Sequence, residues 1–154
     1  MRRQGGFTLL ELLVVLVIVG ITLGMVSFNA MPDSKQMLQQ EGQRIALLLQ
    51  LARDEAIVRD RPVAFEADAE HYRFLVREEN SWQPLPQDEM LRQRDFKRGP
   101  VVVSISPPSA GSNTLPLRVV FGREPVQQPF VLTMSLANAS VAIRADGIGH
   151  FTVE

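Results

Sequence analysis

The sequence predicts an α+β fold. A long N-terminal helix, membrane-spanning in its first half, packs through its second half on an antiparallel β-sheet or sandwich of about eight short strands. Three observations predict it. Residues 7–28 are almost continuously apolar, apolar positions between 34 and 60 recur at helical spacing, and short strand-like runs separated by turn residues follow Pro62. The domain organisation read from this is a leader over 1–6, a spanning helix over 7–28, its amphipathic continuation over 29–60, and a β-rich globular part over 61–154.

Composition narrows the function classes first. Among 154 residues, 16 basic side chains stand against 17 acidic ones, so no broad basic face exists for nucleic acid. Loss of Arg2 and Arg3 with a leader would take the basic count from 16 to 14 and leave the chain mildly acidic. The absence of cysteine excludes a disulfide framework, a thiolate zinc site and a thiol nucleophile. Mean hydropathy is near zero only because the apolar excess is confined to the first thirty residues.

Phe7 to Phe28 reads FTLLELLVVLVIVGITLGMVSF. As a helix it would extend about 33 Å at 1.5 Å per residue, against a hydrocarbon core of roughly 30 Å. Arg2 and Arg3 place the N-terminus on the cytoplasmic side and everything after Phe28 outside it. A signal peptide cut after the apolar run would need a small-x-small site, and Phe28-Asn29-Ala30 puts a bulky ring where a small residue belongs. Pro32 is a candidate kink or break in the helix.

Glu11 is the informative residue, because a carboxylate in the membrane costs on the order of 3 kcal/mol by insertion scales. One reading lets it snorkel to the cytoplasmic interface. Another joins it to Gly6-Phe7: a cut after Gly6 would give Phe7 a free ammonium, and Glu11 could neutralise that of a neighbouring subunit. Such a bridge would be desolvated, so removing either partner would be costly. Gly20 and Gly24 form a GxxxG pair, with Ser27 near the same face. That pair either lets helices approach closely in lipid or reflects the ordinary glycine content of membrane helices. Gly20 is also a candidate point of helix unwinding in a filament.

Gly5-Gly6-Phe7-Thr8-Leu9-Leu10-Glu11-Leu12-Leu13 resembles the N-terminal motif of type IV pilins and pseudopilins. The resemblance covers residues 1 to about 28 and matches in order, spacing and the apolar run that follows. It implies cleavage between Gly6 and Phe7 by a prepilin peptidase and N-methylation of Phe7.

Beyond the apolar run, Met37, Leu38, Ile45, Leu48, Leu49, Ala52, Ala56 and Ile57 make one helical stripe, most simply the face that packs on a sheet. Asp33 or Ser34 can cap its start, and Asp60-Arg61-Pro62 ends it. Strands are predicted at Val63–Glu66 and Tyr72–Val76 around a turn at 68–70, near Trp82, at Met90–Arg94, at Val101–Ser106, at Leu115–Phe121, at Pro129–Leu136, and at Ser140–Ala145 and Ile148–Val153 around a tight Asp146-Gly147 turn. Loops 107–113 and 122–128 are candidate mobile partner sites. Glu66, Asp68 and Glu70 read as a solvated edge near a turn, with no structural calcium expected. Trp82 reads as packing rather than a sugar platform, and His71 and His150 lack ligand-spaced partners.

Leu51-Ala52-Arg53-Asp54-Glu55-Ala56-Ile57 leading into Arg61-Pro62-Val63, with the closing Ala145-Asp146-Gly147-Ile148-Gly149-His150-Phe151, is similar to the GspH/FimT-type minor pseudopilins. Arg53, Glu55 and Pro62-Val63 are expected to hold the helix to the sheet rather than bind a ligand. The resemblance implies a type II secretion minor pseudopilin, the H component, near the tip of a periplasmic pseudopilus. Implied partners are the I, J and K minor pseudopilins, the major pseudopilin, prepilin peptidase, the inner membrane and exoprotein substrates. A minor pilin of a type IV pilus is the competing reading. There is no GxSxG, P-loop, HExxH or dinucleotide turn, so no enzymatic activity, cofactor or metal is expected. The C-terminal Gly149–Glu154 stretch has no lysine or arginine, which disfavours DNA binding.

Overall fold

The described residues hold two helical stretches, one on either side of residues 29–33. The computed structural model describes residues 8–28, 34–85 and 88–154, with side chains of the first stretch described as far as Thr22. Helix α1 is Leu9–Phe28 and helix α2 is Ser34–Val58. The junction, with Pro32 and the candidate cap Asp33, lies outside the described residues, as do Gly6 and Phe7. The chain divides into two units, Met1–Asp33 and Ser34–Glu154.

In the second unit the predicted stripe faces inward: Leu38, Ile45, Leu48, Leu49, Ala52 and Ala56 are buried, with Met37 and Ile57 half-buried. Full burial of a large aliphatic side chain contributes on the order of 2 kcal/mol, and it is this packing that holds the 25-residue helix. Gly42 lies in the same stripe, where an added Cβ would sit 3.0 Å from Val141 Cγ1. The helix ends in a Schellman arrangement: Arg61 N–H donates to Ala56 O (3.1 Å) and Asp60 N–H to Ile57 O (3.3 Å), with Asp60 at φ 53°. Pro62 then begins the extended chain.

Nine strands are assigned among the described residues, in two antiparallel sheets. The first holds β1 (Val63–Ala67), β2 (His71–Glu78), β3 (Ser81–Pro84), β4 (Arg94–Asp95) and, after β5 (Val102–Ser106) of the other sheet, β6 (Leu117–Phe121). Its order is β3-β2-β1-β6, with β4 also on β2. The second runs β5-β7-β8-β9, from β5 (Val102–Ser106), β7 (Phe130–Leu136), β8 (Ala139–Ala145) and β9 (Phe151–Val153). Helix α2 packs on both, against β8, β9 and β7 on one side and β1 and β6 on the other. The core between them includes Phe65, Tyr72, Phe74, Phe121, Leu132, Met134 and Ile143, with Phe65 and Phe74 ring centroids 5.4 Å apart.

Three sequence expectations are corrected. Met90–Arg94 is not a strand: Asp88 Oδ1 accepts the N–H groups of Met90 (2.8 Å) and Leu91 (3.2 Å), so the chain turns to bury Leu91, and only Arg94–Asp95 pairs. The last connection is not a tight two-residue turn, because Ala145 pairs with Phe151 and residues 146–150 form a wider loop. Loops 107–113 and 122–128 are tied down. Asn113 pairs its side-chain amide with the N–H (2.8 Å) and C=O (3.0 Å) of Ile105, and Gln128 Nε2 donates to Ser109 Oγ (2.8 Å).

Candidate functional site

The first unit begins with a capping arrangement. Thr8 precedes the helix; its carbonyl accepts the Glu11 and Leu12 N–H groups (3.0 and 3.2 Å) and its Oγ1 accepts Glu11 N–H at 3.3 Å. The Thr8 hydroxyl in turn reaches Glu11 Oε2 at 3.5 Å. This is the T-x-x-E capping pattern, which the sequence carries at Thr8 and Glu11 beside the features analysed above. It holds the Glu11 carboxylate, which is exposed, beside the start of the helix. Leu9 through Ile21 expose their side chains on every side, and an added Cβ at Gly20 would meet nothing within 4 Å. Gly24 continues α1 one turn further along. Among residues whose side chains are described, no helix is long and apolar enough to cross a membrane. That stretch of α1 stops at Thr22, short of the roughly 20 residues a bilayer requires.

The second unit has two polar constellations. In the first, Arg53, 12% exposed at its side chain, projects from α2 and donates through Nη2 to the carbonyls of Pro125 and of Ile148 (3.0 Å). One side chain thereby fastens the 122–129 loop and the 146–150 loop to the helix. Glu55, expected to hold the helix to the sheet, pairs with Arg59 one turn along. Gly149, at φ 117°, lies against this guanidinium, an added Cβ there meeting Arg53 Nη1 at 2.6 Å. Asp146 organises the rest of the loop: its Oδ1 accepts the N–H groups of Ile148, Gly149 and His150, and its Oδ2 lies 2.6 Å from His150 Nδ1. Desolvation works to raise the Asp146 pKa, and is outweighed by the His150 ring and the backbone N–H groups, which bring it down to about 2. A depressed carboxylate stabilises above its ordinary value of 3.8 and loses that contribution only as pH falls through about 2. The amide resonances of Ile148, Gly149 and His150 should therefore keep their positions at pH 4 and move below about pH 3. Collapse of their dispersion at pH 4 to 5 would contradict this arrangement.

The second constellation corrects the solvated-edge expectation for Glu66. It is 2% exposed, on the central strand β1, directly opposite Arg73 on β2 and Arg118 on β6. Its Oε2 accepts Arg73 Nε at 2.8 Å and its Oε1 accepts Arg118 Nε at 2.8 Å. The Arg118 guanidinium also lies 5.5 Å from the Trp82 ring centroid, with Arg77 at 5.7 Å. Ala64 and Leu75, on this same sheet face by strand alternation, are buried although α2 covers the opposite face. The indole lies between the two guanidiniums of Arg77 and Arg118. Asp68 instead accepts the N–H groups of Glu70 and His71 at 2.8 Å each, and Glu70 is exposed. A further buried contact, Tyr72 Oη to Glu41 Oε1 at 2.7 Å, pins the early part of α2 to β2; burial, then the Glu41 carboxylate, push the Tyr72 hydroxyl above its ordinary value.

Residues 41–149 match the profile of the type II transport protein GspH family. The chain belongs to that family. Residues 1–27 also match the prokaryotic N-terminal methylation motif, so Gly6, Phe7 and Glu11 fall in one matched region and Arg53, Glu66, Arg118 and Gly147 in the other. Among GspH relatives, the type II secretion system protein H of Pseudomonas aeruginosa is 32% identical over 91 residues. That alignment covers 57% of this chain and 53% of that protein, so the chain matches about half the length of its curated relative. The minor pseudopilin EpsH of the Vibrio cholerae type II secretion system shares the fold at TM-score 0.60 and 17% identity, over 79% of this chain and 98% of that one. The Pseudomonas aeruginosa type IV minor pilin FimU does so at TM-score 0.54 and 17% identity, over 76% and 87%. The fold is pilin-like. The GspH profile takes in the second constellation and, as far as Gly149, the first.

Proposed function

We propose that this chain is a minor pseudopilin of the type II secretion system, a structural subunit near the tip of the periplasmic pseudopilus that supports export of folded exoproteins. The observation that carries the reading is Glu11, a lone carboxylate in an apolar helix four residues after Phe7, within a matched N-terminal methylation motif. Prepilin peptidase would cut between Gly6 and Phe7 and methylate Phe7, creating a cation where none existed. Before assembly the Thr8 hydroxyl partly satisfies Glu11; on assembly the carboxylate would turn to a neighbour's ammonium. Gly20 and Gly24 would give neighbouring helices room to approach. The subunit would be anchored once in the inner membrane, with its N-terminus cytoplasmic and the 34–154 unit in the periplasm. Its role is structural rather than catalytic, and it needs no nucleic acid.

Partners would be the I, J and K minor pseudopilins and the major pseudopilin. A subunit at the very apex has no neighbour above it whose ammonium needs a carboxylate, so retention of Glu11 supports a position just beneath the apex. Glu11→Ala at native expression should abolish incorporation into the pseudopilus and reduce exoprotein release at least about tenfold, while the 34–154 unit stays folded. Normal release by that variant would defeat the proposal, as would an uncut Met1 on the assembled protein by mass spectrometry. The likeness to FimU supports a second reading, a minor pilin of a type IV pilus. A deletion strain that secretes normally and loses twitching would favour it.

A further inference from the structure

We propose that the outer edge of β6 at Val120 and Gly122 docks an extended, uncharged segment of a neighbouring pseudopilin, which adds to the first sheet as a further strand. The partner's identity rests on the reading of this chain as a pseudopilus subunit; the open edge itself does not.

Register decides which way each backbone group of β6 points. Arg118 N–H donates to Ser112 O (3.2 Å) and Arg118 O accepts Ser112 N–H (2.9 Å). The backbone groups of Arg118 therefore face away from β1, and so do those of every second residue along the strand. The other side of β1 agrees. Arg77 N–H donates to Pro62 O (2.9 Å), which turns the backbone groups of Ala64 and Glu66 toward β2 and leaves those of Val63, Phe65 and Ala67 to bond β6. The N–H and C=O of Val120 thus point out of the sheet edge, where no described residue bonds them, and Gly122 follows with no hydrogen bond among the described residues.

The neighbouring segment stops short of covering these groups. Two residues on from the Ser112–Arg118 pair, an antiparallel partner for Val120 would be Ala110. Ala110 instead donates its N–H to Pro107 O (3.0 Å) in a short turn over Pro108–Ala110, so the pairing goes no further. A groove of about 370 Å³ is left along the edge. Buried Val119 and Phe130 line it together with Ala110, as does Val126, which is 65% exposed. Its walls are set before any partner arrives: Arg53 holds Pro125 O, Gln127 N–H donates to Gly147 O (2.8 Å), and Gln128 Nε2 donates to Ser109 Oγ (2.8 Å). A preformed groove needs little ordering of its loops on binding.

The other outer strands are closed or short. Asn113 occupies the edge of β5 by bonding the N–H and C=O of Ile105, β3 ends in Pro84, which has no N–H, and β4 and β9 hold two and three residues. Such devices keep sheet edges from pairing; β6 has one at Arg118 and none at Val120. Backbone groups facing a groove select an extended chain, because a strand presents donors and acceptors at matching spacing. The lining holds one cation, Arg123, and one anion, Glu124. With the ion pairs beside it counted, Arg73, Arg118 and Arg123 stand against Asp60, Glu66 and Glu124, so neither sign is in excess. A balanced rim and an apolar floor favour an uncharged segment with an aliphatic side chain.

The test uses full-length chain in detergent micelles, mixed in turn with the full-length I, J and K minor pseudopilins and the major pseudopilin. Amide hydrogen exchange is read residue by residue. Alone, Val120 should exchange fast while Val119 and Phe121, bonded to β1, exchange slowly. With one of the four partners, Val120 exchange should slow at least about tenfold. Val120→Pro removes only an N–H that points away from β1, so it should keep Val119 protected and weaken that complex at least about tenfold. Val120→Thr, which keeps the N–H, should bind as the starting chain does. Val126→Asp changes only the exposed wall and should also weaken the complex, which keeps the comparison open if Val120→Pro loses Val119 protection. Unchanged Val120 exchange in a complex that forms, or a complex indifferent to both Val120→Pro and Val126→Asp, overturns the docking edge and leaves the secretion reading standing. No complex with any of the four overturns both.

Discussion

Gly147→Ala should cost the 34–154 unit about 3 kcal/mol, more than any other single methyl group added to its loops. Gly147 sits at φ 85°, where an L side chain costs about 1–2 kcal/mol. Its added Cβ would lie 2.3 Å from the carbonyl oxygen of Gln127, a backbone atom that cannot rotate away. To make room, the 122–129 loop must move by most of an ångström. That movement endangers Gln127 N–H to Gly147 O (2.8 Å) and the Arg53 contact to Pro125 O, each worth on the order of 1 kcal/mol. Gly149→Ala should cost less, about 2 kcal/mol, because the obstructing atoms belong to the Arg53 side chain and can yield at the expense of its two carbonyl contacts. Gly122→Ala is the control: its Cβ meets nothing nearer than 3.8 Å, and the change should be within about 0.5 kcal/mol of neutral. Urea midpoints of a chain beginning at Ser34, which contains the whole buried core, would rank the three. A Gly147→Ala midpoint equal to that of Gly122→Ala would mean the two loops are not stitched as described.

What could be read from the sequence was local. The stripe from Leu38 to Ala56 is set by a 3.6-residue period, and the turn at 68–70 is set by residues within reach of one another, whereas the tight turn expected at 146–147 opens into the 146–150 loop. Strand order is different: β6 joins β1 only because the chain between them crosses to the other sheet, and nothing near Glu66 announces Arg118. An acidic residue in a run of Glu66, Asp68 and Glu70 therefore reads as solvated when each is judged by its neighbours in sequence. The same holds for Arg53. Its motif and the glycine-containing last hairpin were both visible as parts of one resemblance, yet the contact that makes them a single device spans residues 53 to 149. The T-x-x-E pattern of Thr8 and Glu11 is fully local, yet a glutamate in an apolar run points first to a cation and only then to a cap. Asp88 shows the reverse case, a strand expectation at Met90–Arg94 undone by an Asx turn that its own sequence contained.

Glu66→Ala should destabilise the domain by about 3 kcal/mol, because it leaves two guanidiniums facing each other across β1 with nothing between them. The cost stays at the lower end for a broken buried pair since Arg73 and Arg118 are 41% and 38% exposed at their side chains and can partly turn to water. Replacing the whole group, as Glu66→Leu/Arg73→Met/Arg118→Leu, should return stability to within about 1 kcal/mol of the starting chain, because no unpaired charge remains. If the triad contributed net stability, the triple variant would be as weak as Glu66→Ala. Trp82 gives an independent reading, being the one tryptophan in the chain and lying beside Arg118. Its emission should shift in Glu66→Ala as that guanidinium moves. What the ion group supplies is register. A one-residue slip of β6 would bring Leu117 or Val119 to the face now held by Arg118 and turn the arginine toward Phe65 and α2. The direct Glu66–Arg118 opposition penalises that slip, and an apolar triad would not. The triple variant should therefore keep its melting point and lose the single set of β6 amide resonances. A single sharp set in that variant would show that the hydrophobic pattern alone fixes the edge strand.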